Sequence, residues 1–292
     1  MGTYKILMIY FSILSIILSI TEITLQPYTI SIEMCTVLLS DENVFFGIGA
    51  LSFAAGSCAA ILPIFPIHFV FRYWSIRKSR KLEYFKGFHL IFWLFVPILV
   101  GAVWGIIVGF LFGPNDITTE FIRGPIESKF GISMESIEYI AVHVTSLDSS
   151  DNFENLKYLL ASSFIAVIMV TSGIIVVFYG IKIYFAIGEL ILAGESDYTR
   201  NLQKQFYKAL MVQTCLPVVC VFIPMGAAYF LPILDIDINT FSEISMSVYS
   251  IYPAIDPIPT IIFISNYRNA VLDFCFCRDE KRVAPEENCV DT

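Results

Sequence analysis

The amino-acid sequence predicts an all-α, polytopic transmembrane bundle, and three observations carry that prediction. Hydrophobic residues make up 57% of the 292 and charged residues only 15%, with a mean hydropathy of +0.73. That is more apolar surface than a water-soluble fold can hide. The apolar residues are gathered into runs of about 20 or more, long enough to cross a bilayer core of about 30 Å as helix. Charge and Asn are concentrated between those runs.

Six runs qualify as spans: 4–24, 45–71, 88–112, 158–187, 207–231 and 244–265. They define a bundle over residues 1–272 and leave 273–292 as a cytoplasmic tail. Lys and Arg in short loops bias a loop toward the cytoplasm. Between spans two and three lie Arg72, Arg77, Lys78, Arg80, Lys81 and Lys86; between four and five lie Arg200, Lys204 and Lys208; the tail carries Arg268, Arg278, Lys281 and Arg282. The opposite segments are nearly free of basic residues, with Arg123 and Lys129 alone in 113–155. The basic side is therefore expected inside, together with the amino terminus beside Lys5. Residues 1–25 also mimic the charged and apolar regions of a signal peptide, but they lack an Ala-x-Ala-like cleavage site. The acidic segment 116–154 reads as a solvated loop, or as a cover over a pocket.

On the first span, Ser12, Ser15, Ser19 and Glu22 fall at helical spacing, a polar stripe suited to packing against neighbouring helices. The second span ends in Pro63-Ile-Phe-Pro66 and, six residues on, Arg72-Tyr73-Trp74. Each proline removes a backbone hydrogen bond, so a kink is expected there. Arg72 has two readings: an interfacial charge snorkelling beside the aromatic belt of Tyr73 and Trp74, or a switch facing a G-protein cavity. The fifth span carries Pro217 and Pro224, seven residues apart and close to one face, which allow a hinge. The last holds Asp256 and Pro257 among further prolines. A carboxylate at the bilayer centre costs roughly 2.5–3.5 kcal/mol on insertion scales, so Asp256 either needs a polar partner, a proton or an ion, or sits near the helix end and reaches water.

Cys275 and Cys277 follow the last span, where juxtamembrane thiols are candidate palmitoylation sites. The remaining cysteines form no C-x-x-C pair, and His68, His89 and His143 are scattered, so neither a metal site nor a cofactor is expected. No phosphate-binding glycine loop, nucleophile elbow or zinc-protease helix is present, which excludes the common enzyme classes. The net charge of −8, spread over loops and tail, gives no support to nucleic-acid binding.

The opening MGTYKILMIY, the Phe71-Arg-Tyr-Trp74 segment, Gln203-Lys-Gln-Phe-Tyr-Lys-Ala-Leu210, and Tyr252-Pro-Ala-Ile-Asp-Pro-Ile-Pro-Thr260 followed by Asn266-Tyr-Arg-Asn269 together resemble the nematode serpentine chemoreceptors of the str/srj type, which include odorant receptors. The resemblance runs over nearly the whole chain. It implies a rhodopsin-like seven-helix architecture in which the six spans are helices two to seven, with no counterpart of helix one. It also implies a small, volatile or otherwise environmental ligand, a heterotrimeric G protein as partner, and residence in the plasma membrane of sensory-neuron cilia. Under it, Arg72 matches the arginine ending helix three, and Asp256-Pro257 takes the place of the rhodopsin-like Asn-Pro motif. Two departures stand out. Phe71 replaces the acid that would restrain Arg72, and 113–155 has no cysteine to pair with Cys35, so the usual extracellular disulfide is expected to be absent. The alternatives from the residues alone are a six-span transporter or channel using Glu22 and Asp256 as ion sites, for which no repeat or re-entrant segment is seen, and a truncated, non-signalling receptor.

Overall fold

The computed structural model describes residues 2–32, 35–41, 47–131, 133–143, 152–192, 196–224, 227, 255 and 258–275. Four helices among them are long and apolar enough to cross a membrane: Thr3–Leu25, Gly47–Ile76, Phe88–Leu111 and Leu159–Glu189. They coincide with the first four expected spans. The fifth and sixth spans lie partly outside the described residues.

α1 (Gly2–Leu25) buries Leu7, Phe11, Ser15, Leu18, Glu22 and Leu25, a stripe at i, i+3 and i+4. The opposite face exposes Ile6, Ile9, Ile13, Ile16, Ile20 and Ile23. In water such a face would be a liability; in a bilayer it meets hydrocarbon.

The second span is one rod broken in two, α2 (Gly47–Ile61) and α3 (Ile64–Ile76). Pro63 stands before α3 and Pro66 lies in its first turn, where a proline's missing N–H is tolerated. The expected kink is thus a break at Leu62 and Pro63. α3 is the hub of the bundle. Its Ile64 and Phe65 pack with Phe11 and Leu18, its Phe69 and Ile76 with Ile183, Ile187 and Leu210, and its Ile67 and Phe71 with Leu7 and Phe85.

α4 (Phe88–Leu111) crosses α2 at backbone contact. Gly101, Gly105 and Gly109 recur every fourth residue on α4 and face Ser52, Gly56 and Ala60, spaced likewise on α2. A Cβ on Gly56 would lie 2.6 Å from the carbonyl oxygen of Gly101, and one on Gly105 2.9 Å from that of Ser52. Small residues at this spacing let membrane helices approach closely, where van der Waals packing replaces the hydrophobic drive that lipid cannot supply. A short 3₁₀ turn, Arg80–Phe85, leads into α4. Trp93 Nε1–H donates to Tyr84 O at 2.9 Å and Tyr10 Oη–H to Leu94 O at 2.7 Å, fixing that turn and α1 to α4.

At the other end of the helices stands a cap that the sequence reading left as loop. β1 (Tyr28–Ile32), β2 (Cys35–Asp41) and β3 (Ile137–His143) form an antiparallel sheet in the order β1-β2-β3, with Leu39 paired to both Tyr28 and Tyr139. α5 (Asp116–Phe130) starts at an Asn115 side chain that accepts from Thr118 N–H at 2.8 Å and stops at Gly131, φ 66°. Side chains of a strand alternate between faces, and the cap uses both. Ile30, Val37, Leu39, Tyr139 and Ala141 enclose Ile122 and Ile126 of α5. Leu38, Ile140 and Val142 pack on Trp104 and Val108 of α4, Phe112 just after it and Leu51 of α2. Segment 116–143 is therefore a packed part of the fold, which corrects the expectation of a solvated loop.

α6 (Asn152–Leu192) runs 41 residues, or about 60 Å at 1.5 Å per residue, and so projects beyond a bilayer core. α7 begins at Asp197, ten residues before the expected start of the fifth span at 207, because Ser196 caps it by accepting from Thr199 N–H at 3.3 Å. Its first turns are polar and carry Arg200 and Lys204 ahead of the apolar run. α7 ends at Pro217 and continues as a π turn, Val218–Phe222, the local widening expected where a proline leaves a carbonyl without its N–H. α8 (Ile258–Phe263) packs along α7, and α9 (Ser265–Cys275) follows with no buried residue.

Candidate signalling end

The basic end of the bundle gathers α1, α3, α6, α7 and α9. Arg72 lies there on α3 and is only 4% exposed. Its guanidinium carbon is 4.2 Å from the ring centroid of Phe206 on α7 and 5.1 Å from that of Tyr4 on α1. Tyr4 in turn stacks on Phe71 at 6.0 Å and meets Phe206 edge-on at 5.2 Å. Nε and Nη2 of Arg72 find no hydrogen-bond acceptor among the described residues. The side chain is therefore turned inward between two aromatic rings and does not snorkel toward the interface. A desolvated cation over an aromatic face gains about 2 kcal/mol, small beside the penalty of burying a charge without a carboxylate. The arrangement holds an ion that any polar acceptor would draw away.

Beside it, His68 is 4% exposed, with Tyr4 and Phe11 6.4 and 6.0 Å from its ring. Tyr73, also named from the sequence, sits on the far side of α3. Its ring lies 5.5 Å from Tyr179, below Lys182 Nζ at 5.6 Å and the Arg77 guanidinium at 6.0 Å. Arg77 pairs with Glu189 through both terminal nitrogens, one contact at 3.1 Å. That hydrogen bond raises the Arg77 pKa above its ordinary value, and it ties α3 to α6. Sequence reasoning missed the pair because its partners are 112 residues apart. Gln205 Oε1 accepts from the backbone N–H and the hydroxyl of Ser265 at 3.2 and 2.9 Å, joining α7 to the start of α9.

The polar residues of α1 divide. Ser15 and Glu22 share the buried face, Ser19 is half-buried, and Ser12 is exposed. The hydroxyls of Ser12 and Ser19 are donated to Met8 O and Ser15 O one turn back, at 3.0 and 2.8 Å. Hydroxyls satisfied by their own helix need no partner on another, so the single polar stripe resolves into Ser15 and Glu22. Pro217 closes α7 and Pro224 is buried. Asp256, Pro257 and Cys277 lie outside the described residues, whereas Cys275 is exposed on α9.

At the opposite end Cys35 is a free, fully buried thiol, and burial pushes its pKa up to about 12. Tyr139, hydrogen-bonded to Thr119 at 2.6 Å, is also raised by burial.

Residues 1–272 match the family of serpentine type 7TM GPCR chemoreceptors, Str. The chain belongs to that family. Among its relatives, serpentine receptor class r-10 of Caenorhabditis elegans is 28% identical, the match covering 94% of this chain and 82% of the relative. The class r-10 receptor of Caenorhabditis briggsae is also 28% identical, over 98% of this chain and 84% of its own. The G-protein coupled receptor str-33 of C. elegans is 26% identical, over 93% and 81%. The Str chemoreceptor is thus an integral membrane receptor of the G-protein-coupled class and not an enzyme, which sets the transporter reading aside.

Proposed function

We propose that this Str chemoreceptor detects a small molecule, volatile or otherwise environmental, and passes the signal to a heterotrimeric G protein at its basic end, in the plasma membrane of sensory-neuron cilia. The observation that carries the coupling is the Arg72 cage, in which a buried cation with no carboxylate partner among the described residues bridges α1 and α7 through Tyr4 and Phe206. A ligand can shift a two-state bundle only through its differential affinity for the two states. The broken α2–α3 rod and the π turn after Pro217 are elements able to take two arrangements. Movement of α7 away from α3 would uncover Arg72 toward the cytoplasm, where an acceptor on the G protein would complete its hydrogen bonds. Asp256 and Pro257, on the last span, are the expected partners of this switch inside the bundle.

The test is nucleotide exchange on a reconstituted G protein, with Arg72→Ala compared against Arg80→Ala, a substitution of an exposed loop arginine. The expected outcome is loss of exchange in the first at normal surface level, and none in the second. Equal, small effects of both would return Arg72 to a structural role. Surface protein without exchange in the wild type would support the non-signalling reading.

A further inference from the structure

Between α1, α2 and α4 the described residues leave a groove of about 700 Å³, within the ~300–1,000 Å³ of small-molecule sites. Its base is the glycine crossing of α2 and α4, and its walls include Ile17, Phe53, Ile106 and Phe110. All three helices are membrane-spanning segments, so the groove opens sideways into hydrocarbon. Phe53, Ile106 and Phe110 are exposed and continue its surface into the lipid-facing side of the bundle. No charged side chain lines it, and the hydroxyls present belong to Ser52 and Ser57. That of Ser52 is already donated to Ile48 O at 2.8 Å.

We infer that this groove binds an uncharged, hydrocarbon-rich small molecule that enters from the bilayer. A polar or charged ligand would lose its hydration and find nothing to replace it, whereas an apolar one dissolved in the membrane arrives already dehydrated. The occupant rests on α2 at Gly56 and Ala60, just before the break at Pro63, with Arg72 beyond on α3. A molecule wedged there presses on the element that carries the cage; that consequence, unlike the binding itself, rests on the receptor reading.

Gly49 supplies the test, because a Cβ built there meets nothing within 4 Å. A larger side chain therefore leaves the backbone without a clash at its Cβ and extends into the groove, and replacing a helical glycine favours the helix. The full chain in phosphatidylcholine nanodiscs is photolabelled with a long-chain alkyl diazirine, with and without excess unlabelled alkanol, and the labelled peptides are mapped. Label on 48–60 and 98–110 is expected to be competed away, while label on the lipid-exposed Val167, Val170 and Ile174 of α6 is not. Gly49→Phe, and independently Ala102→Phe from the α4 wall, are expected to lower competable label by about tenfold or more at an unchanged melting temperature. If either variant fails to fold, the other and the wild-type competition decide. Competition equal on groove and α6, or retained in folded filling variants, would mean bulk lipid contact and overturn the site. Nucleotide exchange separates the two readings: labelling without any exchange counts against the receptor, and exchange without competable labelling against the groove.

Discussion

Arg72 was recognised in the sequence by type and place, a basic residue at the end of an apolar run, but its partners were not. Phe206 lies 134 positions on, inside a segment that reads only as the polar approach to span five, and nothing in sequence periodicity says that its ring meets a guanidinium. If the cage holds the resting state, removing one ring should weaken it. A desolvated cation–π contact of about 2 kcal/mol corresponds to a roughly thirtyfold change in a two-state ratio. Phe206→Ala is therefore expected to raise ligand-independent nucleotide exchange several-fold, and Phe206→Tyr to leave it near wild type. Unchanged basal exchange in the alanine variant would remove the cage from the switch. Cys35 is a second residue whose environment the sequence does not reveal, since its burial comes from β3 and α5, far along the chain. The thiolate is the reactive form, and a pKa near 12 keeps Cys35 protonated through the physiological range. Maleimide at neutral pH should modify exposed Cys275 in the folded protein and reach Cys35 only after denaturation; rapid native labelling of Cys35 would contradict a packed cap.

At the scale of elements, the apolar runs gave the first four spans within a few residues because a bilayer demands continuous hydrophobicity, the strongest signal a sequence carries. The break at Pro63 was legible for the same local reason. The cap was not. Its strands are short, their alternation is interrupted, and β3 finds β2 across almost a hundred residues, a pairing set by tertiary packing. Nor was the zipper of Gly101, Gly105 and Gly109 read as an interface, although its four-residue spacing was available. It makes a sharp prediction. A side chain at Gly101 must displace the carbonyl of Gly56, 2.7 Å from its Cβ, or Ala60, 2.9 Å away, and overpacking of this kind costs about 1–3 kcal/mol or more. Gly101→Leu is expected to lower the melting temperature of the detergent-solubilised protein and its surface level. Gly124→Ala, which meets nothing within 4 Å on α5, should leave both nearly unchanged. The Arg77–Glu189 pair, being largely exposed, is worth only about 0.2–1 kcal/mol, so Arg77→Ala should scarcely move stability and report instead on the tie between α3 and α6.

For the whole molecule the remaining question is which end faces the cytoplasm, and the distribution of basic residues gives the expectation. The end formed by Arg77–Lys86, the start of α7 and α9 carries the basic residues, and lysine and arginine in short loops are retained on the cytoplasmic side during insertion. The other end is the β1–β3 and α5 cap, whose own apolar core lets it stand in water beyond the membrane. In that orientation the Arg72 cage would face the compartment that holds G proteins, as the proposed coupling requires. An epitope inserted after Arg80 should be stained only in permeabilised cells, whereas one inserted within 144–150, between β3 and α6, should be stained on intact cells. The reverse pattern would place the cage outside and end the G-protein reading of Arg72. Staining of both sites on intact cells would mean an even number of crossings between them, incompatible with α4 as the single span from 88 to 111.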